Sequence, residues 1–248
     1  MNAFVRIAGA ITLCATLAAV AGCGRGEPAV SSENSHVLLI GASIGQDWQL
    51  AQWAERTGTP GVSAESIAVW QFDKSESVDE VLIRPKRKFR ATPSYFKSLL
   101  APAPRRPQWV ILKECSSYFP SDLQADQKAF EKWTRQLQAA NVKVMLATVV
   151  PVTRVRSEKD PGKQQSLSAF NVWVREFGAR EALPVLDLDA ALREGEPGSF
   201  LKDEYTSGDG SHLNAAAYRH LDRTLLAALC APGTGQACGA SSAVTAAR

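Results

Sequence analysis

Side chains able to carry out nucleophilic catalysis fall at two places far apart in the chain. Ser43 lies in Gly41-Ala42-Ser43-Ile44-Gly45, directly after the apolar run Val37-Leu38-Leu39-Ile40, and Asp209-Gly210-Ser211-His212 precedes the last helical stretch. A serine hydroxyl is a weak nucleophile until a base takes its proton, and the base needs an acceptor that fixes its tautomer and stabilises the imidazolium. An aspartate three residues before a histidine can be that acceptor when one turn holds both. A serine at the start of a helix also lies among outward-pointing N–H groups that can stabilise an oxyanion. Plainer roles suit the same residues: Ser43 as a helix cap, and Asp209 as the head of an Asx-turn with His212 opening a helix. The chain has three histidines. His36 opens the first strand and His220 falls inside the last helix, so His212 is the best-placed base. Asp187 and Asp189, at the end of the last apolar run, are other candidate orienters, but no spacing ties them to His212.

These residues need a scaffold that brings the first strand and the last helix together. Val37–Ile40 is a short apolar run stopped by Gly41, as expected of a strand buried on both faces of a parallel sheet. Similar runs recur at Ser66–Phe72, Trp109–Leu112, Val142–Val150 and Leu183–Leu188. Between the later runs, Leu123–Ala140 and Gln164–Ala182 carry apolar residues three or four apart, and Ala215–Leu229 closes the pattern with Tyr218, Leu221, Leu225 and Leu226 facing the sheet. Strands alternating with helices predict an α/β three-layer sandwich with a mostly parallel sheet. In such sheets ligands bind beyond the carboxyl ends of the strands, where Ser43 falls.

With these elements in place, Gly41-Ala42-Ser43-Ile44 resembles the Gly-Asp-Ser-Leu nucleophile block of the SGNH (GDSL-type) hydrolases, and Asp209-Gly210-Ser211-His212 resembles their Asp-x-x-His block. Asn214–Tyr218 is similar to the stretch that follows that histidine, and the resemblance covers His36–Leu229. It implies an SGNH-hydrolase-like fold, a Ser43, Asp209 and His212 triad, and hydrolysis of an ester through an acyl-enzyme without a cofactor. The chain departs from the family pattern in three places. Ala42 stands where the family has Asp, Lys113-Glu114-Cys115-Ser116 stands for the Gly-x-Asn-Asp block with its oxyanion asparagine, and no glycine block is recognisable after Phe72. The oxyanion candidates left are the Ser43 N–H and the hydroxyls of Ser116 and Ser117, while the Cys115 thiol is a weak donor. An intact triad favours an esterase. The altered blocks favour the alternative, a catalytically weakened domain that binds an envelope glycan or an assembly partner.

Composition sets the remaining bounds. With 248 residues, 45% apolar and 21% charged, the chain suits one globular domain. Arg6 followed by an uncharged, mostly apolar run to Gly22 reads as a signal segment over residues 1–22. The run ends in Val20-Ala21-Gly22-Cys23, which resembles the bacterial lipobox, so Cys23 is expected to carry acyl chains that anchor the protein to a membrane of the cell envelope, outside the cytoplasm. Cleavage as an ordinary signal peptide is the other reading. Residues 23–35 then form a polar tether, 36–230 the hydrolase-like domain and 231–248 a tail of small residues. The net charge of +3 falls to +2 when Arg6 is removed, which suggests no nucleic-acid partner and leaves a small-molecule or glycan ester as the expected substrate. Cys230 and Cys238 flank a turn-forming segment and are expected to pair, leaving Cys115 as the odd thiol. No convincing zinc spacing occurs. Four further features read two ways. Glu114 is a second acid or base, or a paired or solvated strand-end carboxylate, and Cys115 is a reactive thiol or a structural cysteine. The basic run Arg84, Lys86, Arg87, Lys88 and Arg90 is a solvated loop or an anion-recognising one, and Trp48 lines a sugar cleft or joins the core.

Overall fold

The computed structural model describes residues 35–41, 43–59, 61–68 and 107–231. The expected signal segment, Cys23 with most of its tether, Ala42, the basic run at 84–90 and Cys238 with its tail lie outside these residues. Strand β1 (Ser35–Gly41) pairs in parallel with β2 (Val62–Ala68) and β3 (Trp109–Lys113), and β3 leads on to β4 (Lys143–Ala147) and β5 (Val185–Leu186). Among the described residues the sheet has order β2-β1-β3-β4-β5, with every pairing parallel. Ser35, the last residue of the expected tether, is paired in β1: its N–H donates to the Gly61 carbonyl at 2.8 Å and it stands opposite Val62.

Strand side chains alternate between two apolar layers, as a period of two requires. On one face Leu38, Ile40, Val110, Leu112, Val144 and Leu146 pack against α3 (Leu123–Ala139) and α5 (Lys163–Arg180) through Phe130, Trp133, Phe170 and Phe177. On the other, Val37, Leu39, Ile111 and Met145 meet Ile44 of α1 (Ile44–Asp47), Trp53 of α2 (Trp53–Thr57), Leu188 and Leu192 of α6 (Leu188–Leu192), and Leu221 and Leu225 of α7 (Ala215–Leu229). A short α4 (Arg154–Lys159) lies between β4 and α5. The three-layer α/β sandwich predicted from the apolar runs is the observed fold.

The differences from the sequence reading lie at element edges. The run expected at Ser66–Phe72 is paired from Val62 to Ala68, and its last four residues lie outside the described set. The run expected at Val142–Val150 is a strand only as far as Ala147. Thr148 N–H still donates to the Leu186 carbonyl at 3.1 Å, and farther on Thr153 caps α4 by accepting from Arg156 N–H at 3.3 Å. Leu183–Leu188 yields only a two-residue strand, because Asp187 accepts from Ala190 N–H at 3.0 Å and starts α6.

One buried carboxylate ties the layer carrying Ser43 to the last helix. Asp222 of α7 accepts from Trp48 Nε1 at 2.8 Å and from Arg56 Nε and Nη2, both at 2.8 Å, while its carbonyl accepts from Trp53 Nε1 at 3.2 Å. Trp48 is thus a core residue, 1% exposed, and is not part of a cleft wall. Removing one partner of a buried, hydrogen-bonded ion pair leaves the other charge uncompensated. Asp222→Ala should therefore lower the unfolding free energy by roughly 3 kcal/mol, measured by denaturant titration. Wild-type stability in that variant would show that the clamp contributes nothing.

Candidate active site

The carboxyl ends of β1, β3 and β4 lie side by side, with Ile40 opposite Leu112 and Lys113 opposite Ala147. Gly41 allows this: a Cβ there would lie 3.2 Å from the Lys113 carbonyl oxygen and 3.3 Å from Lys113 Cβ. The chain then turns sharply, and Ser43 has φ 43°, a left-handed conformation that costs a non-glycine residue about 1 kcal/mol or more. The Ser43 carbonyl accepts from Asp47 N–H at 3.1 Å, so the serine sits where the strand gives way to α1. Its Oγ lies 3.5 Å from Cys115 Sγ.

Asp209 and His212 are held on one turn, and Asp209 makes the contacts of both readings. Oδ1 accepts from Ser211 N–H and His212 N–H, each at 2.8 Å, which is the Asx-turn. Oδ2 meets His212 Nδ1, the contact of an orienting carboxylate. Burial pushes the Asp209 carboxyl up, but hydrogen bonds from the His212 backbone and ring and from Ser211 N–H outweigh it and bring the pKa down to about 2. The carboxylate is therefore charged throughout the neutral range. The turn is anchored at several points: Thr153 N–H donates to the Gly210 carbonyl at 3.0 Å, and Ser207 N–H to the His212 carbonyl at 2.9 Å. Gly210 has φ +81°, and a Cβ would lie 2.5 Å from Thr153 Oγ1, so no larger residue fits. Asn214 caps α7 by accepting from Ala216 and Ala217 N–H at 3.0 and 3.1 Å, while its Nδ2 holds the Glu204 and Thr206 carbonyls.

Among the described residues no hydrogen bond joins Ser43 to His212, and His212 Nε2 is unbonded. The other candidate orienters are committed elsewhere. Asp187 binds Arg175 and Thr148, and Asp189, 2% exposed, binds Arg175 and Arg193. Ser116 is buried, whereas Ser117 Oγ lies 3.1 Å from Cys115 Sγ and so joins the Ser43 contact chain. Cys115 is a free, buried thiol touching the candidate nucleophile, which the reading as a structural cysteine did not anticipate. Lys113, 1% exposed at the end of β3, was also missed; a lysine closing the apolar run Trp109–Leu112 was the available signal. Among the described residues no group of His, Cys, Asp or Glu is arranged to hold a metal, and no helix is long and apolar enough to cross a membrane.

A parallel three-layer sandwich with a serine after its first strand and an Asp–His turn before its last helix is the architecture of the SGNH hydrolases. The chain belongs to the GDSL-like lipase/acylhydrolase family, whose profile matches residues 90–220, and it is an SGNH-type hydrolase acting on esters. No curated protein matches it in sequence. Among solved structures, a GDSL-like lipase from Bacteroides thetaiotaomicron is similar, with 16% identity and a TM-score of 0.56 over 82% of this chain and 91% of its own. The lipase/acylhydrolase from Enterococcus faecalis shares 17% identity at TM-score 0.54, over 79% of this chain and 95% of its own. The acetyl xylan esterase AlAXEase shares 15% identity at TM-score 0.55, over 78% and 99%.

Glu114 behaves in the opposite way to Asp209. It is 6% exposed, and burial, together with the Asp126 carboxylate, raises its pKa from 4.5 to about 8. A raised carboxyl pKa means stability that is fully present below pH 4.5 and is lost as pH rises through about 8. Glu114→Gln, which imitates the protonated acid, should flatten the pH dependence of unfolding across that window by a few kcal/mol. An unchanged slope in denaturant titrations would show that Glu114 ionises freely.

Proposed function

We propose that the protein is a membrane-anchored serine esterase that cleaves an acyl or acetyl ester of a cell-envelope substrate through an acyl-enzyme on Ser43. The observation that carries this reading is the Asp209–His212 pair, in which Nδ1 is held by a charged carboxylate and Nε2 is left open to act on a serine. In this mechanism Nε2 takes the Ser43 proton as Oγ attacks the ester carbonyl, and Asp209 stabilises the imidazolium that forms. His212 then protonates the leaving alcohol and activates the water that frees the acyl group. Donors for the oxyanion are the Ser43 N–H and hydroxyls of the Ser116–Ser117 turn.

Membrane anchoring through Cys23, a location at the cell envelope and a Cys230–Cys238 disulfide belong to the same proposal and rest on the sequence pattern.

Ser43→Ala and His212→Ala should each lower p-nitrophenyl acetate hydrolysis by about 10³-fold or more, with the double variant hardly worse because the residues act as a unit. Asp209→Asn should lose less, and fluorophosphonate should label wild type but not Ser43→Ala. Full labelling of Ser43→Ala would remove the nucleophile, and an unlabelled wild type would favour the weakened, binding form of the domain. In the producing bacterium, Cys23→Ser should release the protein from membranes, and mass spectrometry should find acyl chains on wild-type Cys23. A wild-type protein without acyl chains would overturn the anchor.

A further inference from the structure

The Ser43 hydroxyl ends a short chain of polar atoms at the carboxyl edge of the sheet. Cys115 Sγ lies 3.5 Å from Ser43 Oγ and 3.1 Å from Ser117 Oγ. Two residues before it, Lys113 is 1% exposed, and its Nζ donates to the Glu114 carbonyl at 2.8 Å. Among the described residues no carboxylate forms an ion pair with that ammonium. Burial lowers the Lys113 pKa, and the neighbouring Cys115 and Glu114 oppose that shift, so the ammonium form of Lys113 is tied to the charge beside it. The titratable and charged groups that act on Cys115 are Lys113, Glu114 and Tyr118 on its own segment, with Asp126 of α3 acting on Glu114. Lys113 is the one lysine or arginine of this set.

We infer that Cys115 is a catalytic hydrogen-bond donor, presenting its S–H to the oxyanion formed when Ser43 attacks an ester, and that the Lys113 ammonium is the positioning charge that strengthens this donor. The inference rests on Ser43 being the nucleophile. In the tetrahedral intermediate Ser43 Oγ and the oxyanion share one carbon, so a donor 3.5 Å from Oγ is a small displacement from the oxyanion. A neutral thiol is a weak donor, and it improves as its proton becomes more acidic. Burial pushes the Cys115 thiol up, but the Lys113 ammonium, with hydrogen bonds from Ser117 and Ser43, outweighs burial and brings the thiol below its ordinary range. No bond to sulfur forms. The Ser43 Oγ–carbon bond forms as the carbonyl electron pair moves onto oxygen, the Ser43 proton passes to His212, and the thiol hydrogen-bonds the charged oxygen until the pair returns and the alcohol leaves. Only the thiol form can donate, and a thiolate would repel the oxyanion. Activity is therefore present below the thiol's pKa and lost as pH rises through it.

The test is the pH profile of p-nitrophenyl acetate hydrolysis by the full chain, with fluorophosphonate labelling rates and titration of the ultraviolet thiolate band. Cys115→Ala should lower kcat about 10- to 100-fold with KM little changed. Cys115→Asn, which restores the amide of the family pattern, should recover most of the rate and remove the alkaline limb. Lys113→Met should lower kcat and move both the limb and the thiolate band to higher pH, without loss of thermal stability because a buried charge is removed. If Lys113→Met does not fold, the two Cys115 variants decide by themselves. A Cys115→Ala variant labelled as fast as wild type, or an alkaline limb that survives in Cys115→Asn, would overturn the donor while leaving Ser43 as nucleophile. A wild type that is never labelled would overturn both.

Discussion

At Gly41 the β1 backbone comes so close to β3 that a Cβ would lie 3.2 Å from the Lys113 carbonyl oxygen, and the arrangement of the carboxyl edge follows from that approach. With the strand ends level, the segments after them share one rim: Ser43 after β1, Cys115 after β3 and Thr153 after β4. Thr153 then fixes the turn that carries Asp209 and His212 through its bond to the Gly210 carbonyl. A Cβ at Gly41 would require its β3 neighbour to give by a few tenths of an ångström, enough to disturb the rim that carries Ser43 and Cys115.

Two carboxyl groups at this edge are set apart by their surroundings. Asp209 lies on an exposed turn that supplies backbone donors and a ring nitrogen, and it stays ionised with a pKa of about 2. Glu114 is buried at the end of β3 against α3, near another carboxylate, and is raised to about 8. The division follows hydrogen bonding on one side and desolvation on the other. The Asp187, Asp189, Arg175 and Arg193 cluster beyond β5 shows a third outcome, since each carboxylate there is matched by guanidinium donors and is used to close the sheet end.

The apolar runs and their punctuation determined the fold class, most of the strands and helices, and the family. Val37–Ile40 read as a strand buried on both faces, and α7 runs from Ala215 to Leu229 as its spacing predicted. The Asp209–His212 pair was also legible, because residues three apart can meet when one turn holds both. These are local consequences of residue type and period. Only the tertiary structure decided that Cys115 touches Ser43, that Lys113 is buried behind it, and that Asp187 and Asp189 serve arginines from α5 and the end of α6. Such contacts join residues up to 72 positions apart, as Ser43 and Cys115 are. They depend on which strands lie side by side and how closely their backbones approach, and no spacing along the chain encodes either.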